Sequence, residues 1–188
     1  MSTTDLSSKP GPVIGIFASD KGPGDPERAS LMSQTGTLLA RRGAQLLCLW
    51  EGGAAPLPLM TAARQVGGAV AIIADEDVAL PPTLAGVPVR VVPDRTARHA
   101  LMAAEAQVLV ALPGSLGSGT ALFGSWAAGK GRGRPVVMLN RHKAFEVMKG
   151  FAGDVLSHAV SGHDRNVQFA DTVEDLWNKV SWVLEQQR

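Results

Sequence analysis

The chain has 188 residues, of which 45% are hydrophobic and 19% are charged, and its formal net charge at neutral pH is +1. This length and composition suit one globular domain with a substantial core. The near balance of charge argues against a nucleic-acid or membrane-surface protein, and the single cysteine, Cys48, excludes an internal disulfide and favours a reducing cytoplasmic setting.

The N-terminal segment is polar and lacks the apolar stretch that is typical of a signal peptide. We expect residues 1–12 to form a flexible tail and residues 13–188 to form one domain. No uninterrupted apolar run approaches the ~20 residues that a membrane-spanning helix requires, so a membrane protein is not expected.

Short apolar runs alternate with helical patterns along the whole chain. Runs of this kind are typical of strands that are buried on both faces of a parallel sheet. In chain order the patterns predict a strand at residues 13–18, a helix at 27–42, a strand at 45–50, a helix at 57–66, strands at 69–74 and 87–92, a helix at 95–105, a strand at 108–112, a helix at 118–130, a strand at 135–139, an interrupted helix at 145–156, a strand at 166–169 and a last helix capped by Asp171 or Thr172.

This alternation predicts a doubly wound, mostly parallel α/β sheet of the Rossmann-like type, with helices on both faces. In such sheets ligands bind beyond the carboxyl ends of the strands, where the strand order changes direction. Three glycine-bearing loops follow predicted strands, at residues 19–24, 51–54 and 114–120. We therefore expect a ligand site where these three loops meet.

The stretch from Val108 to Ser125 carries the strongest ligand signal. A charge-free strand is followed by a loop rich in glycine, serine and threonine, and a helix is expected to begin near Ser118. Glycines let the main chain approach a ligand closely, and the N–H groups of a helix start attract an anion. The loop is not a Walker A loop and lacks the G-x-G-x-x-G spacing, so a turn that is glycine-rich for steric reasons is the alternative.

The order of these features resembles a Rossmann-like family that includes the Lonely Guy phosphoribohydrolases, the lysine decarboxylase-like proteins and the molybdenum cofactor carrier proteins. The pair Gly52-Gly53 is similar to the family's glycine turn after the second strand. Arg98 and Met102 match its arginine and methionine before the central strand, and residues 113–117 match the start of its P-G-G-x-G-T-x-x-E motif. The resemblance covers about residues 13–140.

The glutamate of that motif has no counterpart in this chain. Aligning the proline and glycine that begin the motif puts Ala121 in the place of the glutamate, and sliding by one residue puts Leu122 or Phe123 near it. No Asp or Glu occurs in residues 107–140. Family hydrolases are understood to use the arginine and the glutamate on the N-glycosidic bond of a nucleoside monophosphate, so the resemblance implies a retained binding site without the hydrolase's acid.

The expected ligand-binding residues come from the three loops and from the helix before the central strand. The resemblance favours a phosphate clamp by the guanidinium of Arg98, and an ordinary surface arginine is the alternative. The expected phosphate or ligand contacts are Ser19, Lys21, Gly52, Gly53, Arg98, Gly114, Ser115, Leu116, Gly117, Ser118, Gly119 and Thr120.

The function predicted from these features is non-hydrolytic binding of a phosphate-bearing small molecule, either a nucleotide or a molybdopterin-type cofactor. One alternative is a nucleoside monophosphate phosphoribohydrolase with a relocated acid, for which Glu51 is the candidate, although a solvated turn residue is the simpler interpretation of Glu51. Another is an oligomeric structural or regulatory protein with a vestigial pocket. The resemblance implies a homo-oligomer, a dimer or a tetramer; no metal site, nucleic acid or membrane partner is expected.

Overall fold

The computed structural model describes residues 10–19, 25–128, 134–159 and 162–188. Within them, seven strands form one sheet in the order β4-β3-β2-β1-β5-β6-β7, and every pairing between neighbouring strands is parallel. The strands are β1 (Val13–Phe17), β2 (Gln45–Trp50), β3 (Ala69–Ala74), β4 (Val89–Val91), β5 (Val108–Ala111), β6 (Val136–Leu139) and β7 (Val167–Ala170).

Helices pack on both faces of this sheet, so the predicted doubly wound α/β class is confirmed. A π-helical turn, Ala152–Leu156, joins the fifth helix to the sixth. The helices are α1 (Pro26–Arg41), α2 (Leu57–Gln65), α3 (Arg95–Glu105), α4 (Leu116–Ala128), α5 (Glu146–Phe151), α6 (Ser157–Ala159), α7 (His163–Asn166) and α8 (Val173–Gln186). None of the described helices is long and apolar enough to cross a membrane.

The core consists of two layers because successive side chains of a strand point to opposite faces of the sheet. On one face Ile14 and Ile16 of β1 pack with apolar side chains of α1, α2 and α8. On the other face Phe17 packs with apolar side chains of α3 and α4. Cys48 is fully buried in the first layer, and this burial raises the pKa of its thiol. It is therefore an inert core residue.

Most elements lie where the sequence patterns predict them, with differences at their ends. The predicted strand at residues 87–92 is shorter, because only Val89–Val91 pairs with β3 at the edge of the sheet. The interruption expected between residues 145 and 156 is the π-helical turn, which includes Gly153. Residues 1–9 of the expected tail lie outside the described residues, whereas the backbone oxygens of Gly11 and Pro12 accept hydrogen bonds from Gln45.

Helices α1 and α2 pack with their main chains in direct contact. A β-carbon added to Gly36 of α1 would lie 2.1 Å from the backbone oxygen of Leu59 in α2. Only a glycine leaves room for an approach as close as this. The two helices together cover one face of β1, β2 and β3.

Strand β1 marks the point at which the strand order changes direction. Chain order runs outward from β1 through β2, β3 and β4 on one side, and β5 lies on its other side. In doubly wound sheets the loops that leave two such strands diverge and open a crevice at the carboxyl edge. The three glycine-bearing loops that were predicted to form the ligand site follow β1 and the strands on either side of it, β2 and β5.

Candidate functional site

A cavity of about 520 Å³ opens at the carboxyl edge of the sheet, beside β1. Its volume lies within the range of small-molecule sites, and its position is the one at which doubly wound folds bind ligands. Its apolar wall includes Phe17, Leu49 and Ala121. Its polar lining comes from Ser19 after β1, Glu51 and Gly52 after β2, Asp75 after β3, Arg95 at the start of α3, and Ser115, Gly117 and Ser118 at the start of α4.

Two other depressions border the described surface. A larger, open groove of about 860 Å³ lies between α1, α2 and α8, and its lining includes no described residue of the three glycine loops, so we assign no site to it. A cavity of about 490 Å³ lies on the other side of the loop that precedes α4, where Gly114 and Gly119 face Arg28 and Phe145. The loop before α4 thus separates two cavities.

The first turn of α4 is held by a reciprocal pair of serines. The Ser118 amide donates to Ser115 Oγ over 3.2 Å, and the Ser115 amide donates to Ser118 Oγ over 3.1 Å. The Ser118 hydroxyl donates in turn to the Ser115 backbone oxygen at 2.9 Å. This is a serine form of the capping box, and it begins the helix at Leu116, two residues before the predicted start.

The capping box changes the expected source of ligand donors in this loop. The hydroxyls of Ser115 and Ser118 and the amides of Ser115, Ser118 and Gly119 are engaged within the loop itself. The Gly117 amide, by contrast, makes no hydrogen bond to another described residue, and Gly117 lies in the cavity wall. An anion at this helix start would therefore be met by the Gly117 amide and the positive end of the helix dipole.

The second glycine loop, residues 51–54, is a tight turn that places Glu51 in the cavity wall. Glu51 and Ala54 exchange two backbone hydrogen bonds of 3.0 Å, and Gly52 and Gly53 between them have φ of +57° and +71°. Two successive positive φ angles are readily adopted only by glycine, asparagine and aspartate. The Gly52 amide also donates to Oδ2 of Asp75 over 2.7 Å, which ties the turn to the end of β3.

Glu51 lies against two buried basic side chains from α3. Its Oε1 is 2.9 Å from Nε2 of His99 and 3.3 Å from Nε of Arg98. Arg98 and His99 are only 4% and 5% exposed. Nη1 of Arg98 donates to the backbone oxygens of Val92 and Pro93 over 2.8 and 2.9 Å, which fixes the guanidinium behind Glu51.

A glycine of α4 makes room for the histidine of this cluster. A β-carbon added to Gly124 would lie 2.3 Å from Nδ1 of His99, so the imidazole ring occupies the space that any side chain at position 124 would need. Burial alone raises the pKa of Glu51, but the hydrogen bond with His99 and the positive charge of Arg98 at 3.3 Å outweigh it and lower the pKa to about 2. Glu51 is therefore ionised at neutral pH and places a fixed negative charge in the cavity wall.

The structure brings together only part of the expected site. Ser19, Gly52, Ser115, Gly117 and Ser118 line the 520 Å³ cavity, whereas Gly114 and Gly119 line its neighbour. Gly53 and Thr120 are exposed beyond the wall. Lys21 lies outside the described residues, and only the main chain of Leu116 is described.

Arg98 lies behind the cavity wall, at a place different from the one expected for a phosphate clamp. Its guanidinium donates hydrogen bonds to two backbone oxygens and forms an ion pair with Glu51. Among the described residues, the basic side chain that lines the cavity is that of Arg95, one turn earlier on α3. Helical spacing puts residues three apart near one another, but the sequence does not show which of the two faces the cavity.

Sequence reasoning missed Asp75 as a cavity residue, although a signal was present. Asp75 directly follows β3, as Glu51 follows β2. Because the carboxyl ends of parallel strands lie at one edge of the sheet, both carboxylates are expected at that edge.

Among the described residues no group of three or more His, Cys, Asp or Glu side chains is placed to hold a metal ion. The charged residues in the described lining of the cavity are Glu51, Asp75 and Arg95.

No family model and no curated protein matches the sequence. Solved structures do match its fold. The molybdenum cofactor carrier protein of Chlamydomonas reinhardtii is 20% identical with a TM-score of 0.71, over 93% of this chain and 99% of its own. The molybdenum cofactor binding protein of Rippkaea orientalis is 15% identical with a TM-score of 0.67, over 93% and 98%. The structure called TM1055 is 23% identical with a TM-score of 0.64, over 94% and 99%.

These likenesses confirm the fold that the sequence resemblance implies. A more distant match, the DNA processing protein A of Helicobacter pylori, is 14% identical with a TM-score of 0.58, over 96% of this chain and 84% of its own. That protein is described as binding single-stranded DNA, whereas the names of the first two proteins refer to the molybdenum cofactor. One fold thus serves different ligands, and the ligand has to be argued from the site.

Proposed function

We propose that this chain is a non-hydrolytic binding protein for a phosphate-bearing small molecule, either a nucleotide or a molybdopterin-type cofactor. The observation that carries the proposal is the start of α4, whose first turn faces a 520 Å³ cavity with Gly117 in its wall. Helix starts bind phosphate through their main-chain amides. Arg95, which also lines the cavity, adds a cation. The two carrier and binding proteins of similar fold support a cofactor-sized ligand.

Binding without hydrolysis is favoured by what stands in the place of the catalytic acid. Ala121, which the motif alignment puts at the position of the glutamate, lines the cavity and is 4% exposed. Leu122 and Phe123, the residues of the alternative alignment, lie outside this lining. The nearby carboxylate of Glu51 is ionised, with a pKa of about 2, so it cannot donate a proton as a general acid. Its charge is already paired with that of Arg98 at 3.3 Å, which weakens its stabilisation of a cationic sugar.

A charge placed at Gly117 tests the phosphate site. Gly117→Glu is expected to weaken the binding of AMP and of inorganic phosphate at least about tenfold, because the new carboxylate occupies the helix start and repels the anion. A β-carbon at Gly117 meets only Ser115 Oγ, at 3.5 Å, and an acid in the first turn favours the helix, so the variant should fold. Isothermal titration calorimetry gives the dissociation constants.

The matched control is Gly117→Gln, which adds nearly the same bulk without the charge. It should bind both probes more tightly than Gly117→Glu does. If the two variants bind AMP equally, or if the wild-type chain binds neither probe, the phosphate does not sit at the start of α4 and the proposal fails.

Incubation with AMP tests the absence of hydrolysis. We expect no adenine release above the rate of a blank without protein, since the cavity holds no carboxylate at Ala121 and Glu51 is paired. Chromatography of the nucleotide and the free base after a long incubation measures this. Steady adenine release by the wild-type chain that Glu51→Gln abolishes would instead establish the relocated acid of the hydrolase alternative.

A further inference from the structure

One oxygen of the carboxylate of Asp75, a residue that lines the cavity, lacks a hydrogen-bond donor among the described residues. Oδ2 of Asp75 accepts from the Gly52 amide over 2.7 Å, which fixes the side chain. Oδ1 of the same carboxylate is buried and has no hydrogen-bond partner within the described chain. A buried acceptor without a donor is unfavourable, and native proteins rarely leave one without a reason such as a ligand.

The position of Asp75 relative to the start of α4 gives the cavity two unlike ends. Asp75 follows β3, and α4 follows β5; in the sheet these strands are separated by β2 and β1. Three strand spacings amount to about 14 Å. The cavity lining includes residues from both places, with Phe17 and Leu49 of its apolar wall coming from β1 and β2. An inorganic phosphate cannot reach both ends, whereas an elongated molecule can.

The charges of the two ends set the orientation of such a molecule. The end near α4 offers the Gly117 amide to an anion. The end near β3 presents Asp75 and, one strand nearer, Glu51. The charge of Glu51 is paired with Arg98, whereas Asp75 forms no ion pair with a described residue, so the Asp75 carboxylate disfavours an anionic group at this end. Both carboxylates accept hydrogen bonds and offer none when ionised, so the ligand has to bring N–H or O–H donors to this end.

We propose that Asp75 recognises the end of the ligand that lies away from its phosphate, by accepting a hydrogen bond from an N–H or O–H group. The proposal rests on the proposed function, since it needs the phosphate at α4. The ligand class is then a monophosphate whose body is a ring system rich in donors. A guanine or pterin ring supplies such donors as an amino group, and a ribose supplies them as hydroxyl groups.

The test compares the wild-type chain with Asp75→Asn. Asparagine keeps the shape and can still accept from the Gly52 amide, but it then turns an amide donor toward the place of Oδ1. We expect the dissociation constant of the preferred nucleoside monophosphate to rise about tenfold or more, as for loss of a hydrogen bond to a charged group. Inorganic phosphate should bind the variant as it binds the wild type.

Matched probes identify the donor. GMP and IMP differ by one amino group, and AMP and 2′-deoxy-AMP differ by one hydroxyl. If Asp75 accepts from the base, the wild type should prefer GMP to IMP and Asp75→Asn should lose that preference. If it accepts from the sugar, the preference for AMP over its deoxy form should be lost instead. Asp77→Asn, at an exposed carboxylate two residues on, is the control and should change neither ratio.

The outcomes separate this inference from the proposed function. If all four nucleotides bind the wild type and Asp75→Asn within twofold of each other, Asp75 is not a recognition residue, and the phosphate site stands. If the wild type binds neither phosphate nor any of the nucleotides, the proposed function fails and takes this inference with it. Urea unfolding of Asp75→Asn checks that the variant folds. The substitution removes a charge but leaves a buried N–H group in place of the unpartnered oxygen, so we expect little change in stability.

Discussion

Glu51→Gln is expected to lower the free energy of unfolding by about 3 kcal/mol at neutral pH, because it leaves the buried guanidinium of Arg98 without its carboxylate. Such losses are commonly larger, but the Glu51 side chain is 21% exposed, so water compensates part of the charge. Urea denaturation of the two proteins measures the difference. Glu76→Gln, at an exposed acid just after β3, is the matched control and should change little.

The pH dependence of this loss follows from the pKa of Glu51, which is about 2 in the folded chain against an ordinary value of 4.5. A lowered folded-state pKa contributes stability that is complete above the ordinary value and disappears as the pH falls through the folded value. The difference between wild type and Glu51→Gln should therefore be constant above about pH 5 and shrink between pH 4.5 and pH 2.

A second substitution shows whether the loss comes from the unpaired cation. Adding Arg98→Met to Glu51→Gln removes both charges and should recover part of the lost stability. Replacing a buried ion pair by uncharged side chains often leaves the free energy of unfolding nearly unchanged. If the loss in free energy of unfolding of the double variant equals the sum of the losses of the two single variants, Glu51 and Arg98 are not energetically coupled, and the ion pair does not explain the effect of Glu51→Gln.

Gly36→Ala is expected to cost about 3 kcal/mol, the upper part of the range for overpacked cores. Its new β-carbon would meet the backbone oxygen of Leu59 at 2.1 Å, and a backbone atom cannot turn aside as a side chain can. Helices α1 and α2 would have to move apart and lose their contact. Thermal and urea unfolding report the change.

The matched control for Gly36 is another helical glycine. A β-carbon at Gly150 of α5 meets nothing within 4 Å, so Gly150→Ala should raise stability by about 0.5–1 kcal/mol through the entropy of the unfolded chain. Equal effects of the two substitutions would show that α1 and α2 are not in the close contact described above.

Local patterns were enough to predict most of the fold. The start of α1 is an example: Asp25 accepts from the Glu27 amide over 3.0 Å as an N-cap, and Pro26 occupies the first helical position. Both are residue types that favour a helix start at these positions. The start of α4 is a counterexample. Its cap is Ser115, and the pairing with Ser118 was hidden because many residues of that loop are glycine, serine or threonine.

The candidate site was predictable in its location and less so in its members. Each of the three glycine loops follows a strand, and parallel strands bring such loops to one edge. The role of Arg98 was not predictable in this way. A charged side chain on a helix is usually solvated, and it is buried only where a partner and backbone acceptors exist, which depends on distant residues.

By itself, the amino-acid sequence determined the alternation of strands and helices, the loops at which a ligand site was expected and the absence of an acid after β5. These depend on residue types within a few positions of one another. Tertiary structure decided that Arg98 and His99 pair with Glu51, about 48 positions away, and that Asp75 faces the same cavity as the start of α4. Such pairings arise only when strand order and helix orientation bring distant side chains within a few ångströms, where charges and hydrogen bonds act.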